Sequence, residues 1–288
     1  MAAFVAEADK LTYIPGVPFP EYYEALLNWK TPVVIGAVYA TTVHMLNPSA
    51  TTAKLSRVEA KNRGEHNKAT KSNNKLMTLF VFLHNTALAL YSGITFYNMV
   101  ISMHKLFNRG NSIHDAYCDK DGFLWNDSLG YWGYLFYLSK FYEVIDTAII
   151  LLKGRRSSLL QTYHHAGAMI TMWAGIRFRS PPIWIFVVFN SLIHSIMYTY
   201  YAMTSIGLHP PGKRYLTSMQ ISQFLVGMSC ALSYLFLPNC LATPGQKFAV
   251  ILNVLYLLPL TYLFVDFARK TYGKRVAAAA ASVAKKAQ

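Results

Sequence analysis

The feature that most constrains this chain is a series of apolar stretches, each close to the length that a helix needs to cross a membrane. A spanning helix requires about 20 mostly apolar residues. The 288-residue chain is 53% hydrophobic and only 14% charged, which is more apolar than a soluble domain of this size. The apolar stretches lie at 31–47, 76–102, 131–152, 159–176, 182–204, 216–237 and 247–268. The sequence therefore predicts one all-α domain over 1–288, a polytopic membrane protein of about seven helices.

The distribution of basic residues predicts the orientation of these helices, because Lys and Arg collect in short cytosolic loops. With the C-terminus in the cytosol and the N-terminus in the lumen, two-thirds of the 27 Lys and Arg residues fall on the cytosolic side. The net charge of +14 then describes a positive cytosolic face. One explanation of such a face is the orientation of the helices and its attraction to anionic lipid. The other is that it docks a phosphorylated substrate. Nucleic acid is not expected as a partner.

The C-terminal segment at 269–288 carries a targeting pattern. It ends in KRVAAAAASVAKKAQ, where Lys285 and Lys286 resemble the dilysine signal that retrieves membrane proteins to the endoplasmic reticulum. Two lysines in a basic tail are also common by chance. Because the signal works only from the cytosol, it agrees with the charge distribution. We therefore expect a multi-pass protein of the endoplasmic reticulum membrane, without a cleavable signal peptide at its N-terminus.

The three cysteines differ in their predicted surroundings. Cys118 and Cys240 fall in luminal loops, whereas Cys230 lies inside the sixth helix. Two thiols in an oxidising lumen suggest a disulfide. Two unrelated free thiols remain the alternative, because the sequence does not show that the loops meet. Asn126 opens an NDS sequon on the same side and is expected to be unglycosylated, since it lies close to the third helix.

Polar residues inside the predicted membrane helices are the candidates for function, because each is costly in hydrocarbon. They occur in four segments, KFYEVIDT, QTYHH, NSLIHSIMYTYY and TSMQISQF. Helical spacing places each set on one face of its helix. The candidates are Lys140, Glu143, Asp146, Thr147, Gln161, His164, His165, Asn190, His194, Tyr198, Tyr201, Thr217, Gln220 and Gln223.

These four polar faces share a depth in the membrane. At about 1.5 Å per residue, Asp146 lies ~9 Å from the cytosolic end of its helix, His164 ~8 Å, Gln220 ~6 Å and His194 ~15 Å. The helices run in alternate directions, so the shared depth is not automatic. A polar chamber open to the cytosol would let each group satisfy another. A polar network that only holds the helices together is the alternative.

In order and spacing, the four segments resemble the signatures of the ELO family of very-long-chain fatty acid elongases, over about 130–230. The resemblance implies a 3-ketoacyl-CoA (3-oxoacyl-CoA) synthase, an acyltransferase that condenses acyl-CoA with malonyl-CoA and releases carbon dioxide and CoA. It also implies six helices forming a barrel around a narrow acyl-chain tunnel that is closed toward the lumen. The expected partners are both CoA esters, membrane lipid, the reductases and dehydratase of the elongation cycle, and a second copy in a homodimer.

The catalytic roles also follow from the resemblance. None of the three cysteines lies in a motif on the cytosolic side, so imidazole is the available nucleophile. The resemblance assigns His164 as the nucleophile that forms an acyl-imidazole, and His165 as its partner in a network with Asp146, a carboxylate suited to fixing the tautomer. His194 and Asn190 are expected to face malonyl-CoA, orienting its carboxylate and stabilising developing negative charge.

The other polar candidates are expected to contact substrate or to shape the chamber. They are Lys140, Glu143, Gln161, Tyr198, Tyr201, Gln220 and Gln223. Many family members have His where this chain has Gln161, and Gln at this position resembles elongases of polyunsaturated chains. The loss of a third imidazole also argues against a metal site, and malonyl-CoA is a co-substrate, so no cofactor is expected. Bulk near the luminal end is expected to limit chain length, with Trp173, Trp184 and residues near Leu235 as candidates.

Two alternative functions remain open from the sequence. A membrane di-iron desaturase or hydroxylase would use histidine boxes, but it needs about eight histidines in three clusters. The remaining histidines are instead scattered singly and are expected to be loop or packing residues: His44, His66, His84, His104, His114 and His209. A seven-helix transporter or receptor would use the polar chamber for binding alone.

Overall fold

A computed structural model describes residues 11–49 and 75–273, and in these residues all regular structure is helical. The long helices are α1 (Lys30–Leu46), α2 (Lys75–Phe107), α3 (Gly130–Tyr142), α4 (Val144–Leu152), α5 (Leu159–Arg177), α6 (Ile183–Ser205), α7 (Lys213–Ser233) and α8 (Pro244–Ala268). Short helical segments are Pro20–Tyr22, Tyr23–Leu26, Ile113–Tyr117, Trp125–Leu129 and Arg269–Gly273. The predicted all-α character is confirmed for this part of the chain. Lys285 and Lys286 lie outside the described residues.

Three of the helices are long and apolar enough to cross a membrane. They are Lys75–Phe107 with 33 residues, Ile183–Ser205 with 23 and Pro244–Gly273 with 30. This supports a polytopic membrane protein. Helices α5 and α7 carry the polar QTYHH and TSMQISQF segments, which lower their apolar content.

The third predicted helix, 131–152, is divided in the structure. Helix α3 ends at Tyr142 and α4 begins at Val144, with Glu143 between them. The backbone tightens at this point, since Asp146 N donates to Glu143 O over three residues at 3.1 Å. Prediction from apolar length alone missed this break, because apolar content does not report where the backbone hydrogen bonding tightens.

The starts of α5 and α8 follow local capping signals. The Ser158 side chain accepts from Gln161 N at the start of α5. At the start of α8, Thr243 and Gln246 form a capping box, with Pro244 in the first turn. These caps hold the backbone immediately before the histidine pair and before the last helix.

Six neighbouring pairs of helices follow one another in a closed order. Helix α2 packs along α6, α6 against α7, α7 against α8, α8 against α5, α5 against α3, and α3 against α2. Helix α1 packs outside this order, chiefly against α5. The largest buried apolar cluster joins α3, the second half of α5 and the first half of α6 to the segment before α1, the end of α2 and the loop before α3, and includes Tyr134, Tyr137, Met172, Ile176 and Val187.

Two loops at the end of the molecule that holds this cluster are joined covalently. Cys118, after the short helix Ile113–Tyr117, forms a disulfide with Cys240, which follows α7. Around it the Tyr117 and Tyr234 rings stack with centroids 4.5 Å apart. The Trp184 indole N–H donates to the Tyr234 hydroxyl at 2.9 Å. The loops that sequence reasoning could not bring together therefore meet.

Candidate active site

A cavity of about 540 Å³, including its open mouth, lies among α3, α5, α6, α7 and α8. Its polar lining is Lys140, His164, Thr171, Asn190, Gln223, Asn253 and Tyr256. Its apolar lining is Phe136, Ala168, Met172, Ile185, Phe186, Phe189, Phe224, Gly227, Leu257 and Leu260. Each of the four polar segments identified in the sequence therefore contributes one polar residue to this wall. Along α5 the wall runs from His164 to Met172, about 12 Å of helix.

Of the histidines in the described residues, only His164 lines the cavity. Its Nδ1 lies 3.1 Å from the Tyr256 hydroxyl, and the same hydroxyl donates to the His164 backbone carbonyl at 2.9 Å. Within residues 11–49 and 75–273, Nε2 of His164 makes no hydrogen bond. The ring is thus held through one nitrogen, while the other is available to a ligand.

His165 has a different environment from His164, although the two ring centroids are 5.3 Å apart. The His165 ring is buried outside the cavity wall. The side-chain nitrogen of Gln161 lies 2.8 Å from His165 Nε2. An amide N–H donating to Nε2 leaves the proton of neutral His165 on Nδ1, an atom without a hydrogen-bond partner in the described chain.

A buried charged pair lies at the break between α3 and α4. Lys140 Nζ donates to Glu143 Oε1 at 2.7 Å and to Asn190 Oδ1 at 3.1 Å, and it lies 3.8 Å from the centroid of the Phe136 ring. Each charged side chain is only 3% exposed. Because Asn190 accepts through its oxygen, its NH₂ group is left as a donor at the cavity.

Asp146 contacts neither of the paired histidines, which corrects the expected network. Its two carboxylate oxygens contact other groups instead: Oδ1 lies 2.8 Å from His84 Nε2, and Oδ2 accepts from the Tyr198 hydroxyl at 2.6 Å. The other ring nitrogen of His84 lies 3.2 Å from the Tyr142 hydroxyl. His84, expected to be a packing residue, is therefore part of the buried polar network.

Gln223 lines the cavity as predicted, and the remaining predicted residues lie behind the cavity wall or away from it. His194 is buried, with Nδ1 3.8 Å from Glu143 Oε1 and its ring centroid 6.5 Å from that of His164. Tyr201 packs against Tyr198, and Gln220 donates to the sulfur of Met197 at 3.3 Å. The structure thus places Asn190 in the wall but not His194, its expected partner in binding malonyl-CoA.

Two further predicted residues bind tyrosines that sequence analysis did not consider. The Thr147 and Tyr39 hydroxyls are 2.8 Å apart, and those of Thr217 and Tyr272 are 3.2 Å apart. Both threonines are buried. They satisfy hydroxyl groups between helices and do not line the cavity.

Comparison with known proteins decides the family. Residues 24–280 match the family described as ELO, GNS1/SUR4.

This chain belongs to the ELO family.

Named relatives agree with this assignment. Fatty acid elongase A of Dictyostelium discoideum is 31% identical over 202 residues, which are 68% of this chain and 73% of the relative. Long chain fatty acid elongase 2 of Caenorhabditis elegans is 27% identical over 199 residues, or 66% and 71% of the two chains. Long chain fatty acid elongase 1 of the same organism is 34% identical over 167 residues, covering 54% of this chain and 56% of the relative.

Sequence reasoning missed two polar residues of the ELO-family cavity on α8. Asn253 and Tyr256 both line it. The signal was present, because these residues are three apart and share a face with Leu257 and Leu260. It was overlooked because the helix is otherwise strongly apolar, as is typical of a membrane-spanning helix without functional residues.

The expected chain-length residues are also placed differently from the prediction. The indole N–H of Trp173 donates to the Leu27 carbonyl at 2.8 Å, and neither Trp173 nor Trp184 lines the cavity. A second, smaller cavity of about 200 Å³, including the space open to solvent, is lined in part by Gly175 and Ser180. Phe186 and Asn253 line both cavities and so separate them.

Potential metal ligands in the described residues gather elsewhere. His114, Cys118 and Cys240 lie close enough to share an ion, but the two sulfurs form the disulfide. His164, His165 and His194 do not form such a group with carboxylates or thiols in this part of the chain.

Proposed function

We propose that this chain is a condensing enzyme of fatty acid elongation, a 3-ketoacyl-CoA synthase acting on a long-chain acyl-CoA and malonyl-CoA. The observation that carries the proposal is His164 in the wall of a mostly apolar cavity that also contains Lys140 and Asn190. An acyl chain needs an apolar cavity, and its thioester needs a nucleophile at the polar end. Membership of the ELO family and the names of its relatives support the same chemistry.

In the first step, Nε2 of His164 attacks the thioester carbonyl carbon. A C–N bond forms, the C–S bond breaks, and CoA leaves with the bonding electrons as a thiolate. The acyl group stays on the imidazole, where it is activated for a second attack. His165 and Asp146 lie behind the wall, where His165 contacts Gln161 and Asp146 contacts His84 and Tyr198, and neither is hydrogen-bonded to the His164 ring in the described residues.

In the second step, malonyl-CoA loses carbon dioxide and its enolate attacks the acyl carbon. A C–C bond forms, the C–N bond to His164 breaks, and 3-ketoacyl-CoA is released. The free NH₂ group of Asn190 and the ammonium of Lys140 are the donors in the wall that can stabilise the malonyl carboxylate and the developing oxyanion. His194 supports this second step from behind the wall, where its Nδ1 lies 3.8 Å from Glu143 Oε1.

The proposed membrane arrangement has about seven spanning helices, six of them in a barrel that contains the acyl tunnel. The closed order of helix neighbours from α2 to α8 supports this arrangement. The disulfide and its aromatic cluster close the luminal end, and the polar end opens to the cytosol. Location in the endoplasmic reticulum rests on the dilysine pattern, and association with the other elongation enzymes and with a second copy rests on the family resemblance.

The proposed substrates fit further residues at the cytosolic side. Gln161 supports a polyunsaturated acyl chain, by its resemblance to elongases of such chains. Lys153, Arg155, Lys213 and Arg214 at the helix ends can meet the CoA phosphates. Gln223 lines the cavity with an unpartnered Oε1, which makes it an acceptor for the pantetheine amides.

The experiment that tests the mechanism uses purified full-length protein and acyl-CoA without malonyl-CoA. We expect one equivalent of CoA per active enzyme and a mass increase of one acyl group. His164→Ala should abolish both signals. His194→Ala should still acylate and then accumulate acyl-enzyme when malonyl-CoA is added.

Other outcomes point to other functions. Acylation kept in His164→Ala and lost in His194→Ala would exchange the two roles. A parent enzyme that makes 3-ketoacyl-CoA without forming an acyl-enzyme would indicate direct attack of the enolate on acyl-CoA. Stoichiometric iron in purified protein would favour a desaturase or hydroxylase, and failure to consume malonyl-CoA would favour a transporter.

A further inference from the structure

The Tyr256 hydroxyl makes two contacts with one residue, and together they define where protons lie. It is 2.9 Å from the backbone carbonyl oxygen of His164 and 3.1 Å from His164 Nδ1. A carbonyl oxygen only accepts, so the single phenolic proton must point to it. The phenolic oxygen can then only accept from Nδ1, which must carry the imidazole proton. Neutral His164 is therefore protonated on Nδ1, with its lone pair on Nε2.

We infer that Tyr256 is the positioning residue that selects the Nδ1–H tautomer of His164 and presents Nε2 to the acyl thioester. This inference rests on the proposed function, since it specifies which nitrogen attacks and why. In serine hydrolases a carboxylate holds the corresponding N–H. Here the nearest candidate, Asp146, binds His84 and Tyr198 instead. The neutral phenol of Tyr256, on α8, accepts the hydrogen bond from Nδ1 instead and orients the His164 ring.

The Tyr256 ring is fixed by its neighbours, as a positioning residue requires. Tyr163 stacks on it with ring centroids 5.5 Å apart and planes at 22°, and the Tyr163 hydroxyl donates to the Tyr256 backbone carbonyl at 3.2 Å. On α5, a Cβ at Gly167 would overlap the Tyr256 ring. The absence of a side chain at Gly167 is what lets the phenol reach back to His164.

This arrangement has a chemical consequence for both steps. When Nε2 bonds the acyl carbon and CoA leaves as thiolate, the Nδ1 proton stays in its hydrogen bond to the phenolic oxygen. The acyl group is then carried as an N-acylimidazolium, which releases neutral imidazole, a better leaving group than the imidazolide anion that a neutral acyl-imidazole would release. When the enolate attacks, the C–N bond breaks and neutral imidazole is restored in the same tautomer. No proton has to leave or enter at Nδ1 during the cycle.

The test compares two matched substitutions, each of which removes one hydroxyl. Tyr256→Phe keeps the ring, its stacking and the cavity lining. We expect the single-turnover rate of acylation to fall about tenfold to a hundredfold, as for other partners that orient a functional imidazole. The KM for acyl-CoA should stay within about twofold, since the wall keeps its shape. Tyr262→Phe on the same helix also loses one hydroxyl, but the Tyr262 side chain is 70% exposed and does not line the cavity, so this variant should acylate at the parent rate.

A second variant acts on geometry and retains the hydroxyl. Gly167→Ala should displace the Tyr256 ring and slow acylation, and combining it with Tyr256→Phe should add little further loss. If the losses of acylation rate in the two single variants do not add in the double variant, both substitutions act on the same contact between Tyr256 and His164. Full additivity would mean that the two positions act separately and would overturn the inference.

The remaining outcomes separate this inference from the proposed function. A parent enzyme that acylates normally, with Tyr256→Phe equally fast, overturns the role of Tyr256 and leaves the function intact. A parent that never forms acyl-enzyme overturns both. If Tyr256→Phe lowers the melting temperature and raises KM while the acylation rate at saturation is unchanged, the tyrosine is structural and the inference fails.

Discussion

The histidine end of the helical assembly and the disulfide cluster differ in how their buried polar groups are satisfied, although the Tyr134 hydroxyl, in the large apolar cluster, also has no partner in the described residues. At the histidine end, defined by His164, His165, His194 and Glu143, several buried atoms lack a hydrogen-bond partner within the described residues, among them His165 Nδ1, His194 Nδ1 and Glu143 Oε2. At the disulfide end, defined by Cys118, Cys240, Tyr117, Trp184 and Tyr234, the ring N–H and hydroxyl groups are all bonded.

This difference shows which end has a function beyond stability. Buried polar groups are normally satisfied, and those that are not call for a specific explanation. At the histidine end a substrate in the cavity would explain one such atom, Gln223 Oε1, because Gln223 lines the cavity whereas His165, His194 and Glu143 lie behind its wall. At the disulfide end a covalent bond and stacked aromatic rings close the assembly. If the histidine end acts on substrate and the disulfide end only stabilises the fold, substitutions at the first should change activity and substitutions at the second only the free energy of unfolding.

The largest effect should come from breaking the charged pair at the histidine end. Lys140→Met leaves Glu143 buried without its cation, and we expect a loss of about 3–5 kcal/mol in the free energy of unfolding, together with loss of activity. Denaturant unfolding in mixed micelles measures the first and product formation the second.

A matched control exists for this substitution. Lys105 pairs with Asp127 at 3.3 Å but is 54% exposed, so Lys105→Met should cost under about 1 kcal/mol. The double variant Lys140→Met with Glu143→Leu should recover much of the stability and none of the activity. If Lys140→Met and Lys105→Met lower the free energy of unfolding equally, burial of the Lys140–Glu143 pair does not make it more important for stability than an exposed pair.

A smaller effect is expected from opening the disulfide. Cys118→Ala with Cys240→Ala should lower the free energy of unfolding by about 2–4 kcal/mol, because the unfolded chain gains freedom. Acylation by acyl-CoA alone should keep the parent rate per folded molecule. Cys230→Ala, which removes the free thiol of α7, is the control. A parallel loss of acylation would show that the two ends are coupled.

The smallest effect is expected from a substitution at Phe186, which lies between the two cavities. This residue lines both the main cavity and the smaller one. Phe186→Ala should join the two cavities and extend the products by about one elongation cycle, with little change in the rate of condensation. Fatty-acid profiling of an expressing host measures this shift.

The control for chain length is a phenylalanine outside the cavity. Phe236 is 79% exposed, so Phe236→Ala removes the same ring without changing the cavity. Its product profile should match that of the parent. An unchanged profile in Phe186→Ala would mean that the acyl chain does not run toward the smaller cavity.

Much of the helical layout could be predicted from the sequence, because helix formation depends on local apolar length and local signals. The first stretch, predicted at 31–47, is helical over Lys30–Leu46, and the fourth, predicted at 159–176, over Leu159–Arg177. Helical spacing also identified one residue of each polar segment that lines the cavity. The break at Glu143 was missed, because apolar content does not report where the backbone hydrogen bonding tightens.

What the sequence determined, then, is which residues share a face on one helix, since that depends only on spacing along the chain. Only the tertiary structure decided which partner each group meets on another helix. His84 meets Asp146 across 62 residues, and Tyr256 meets His164 across 92. Such pairs depend on the rotation and approach of whole helices, to which distant residues contribute together. For that reason the imidazole nucleophile could be proposed from its motif, whereas the phenol that orients it became visible only in the folded chain.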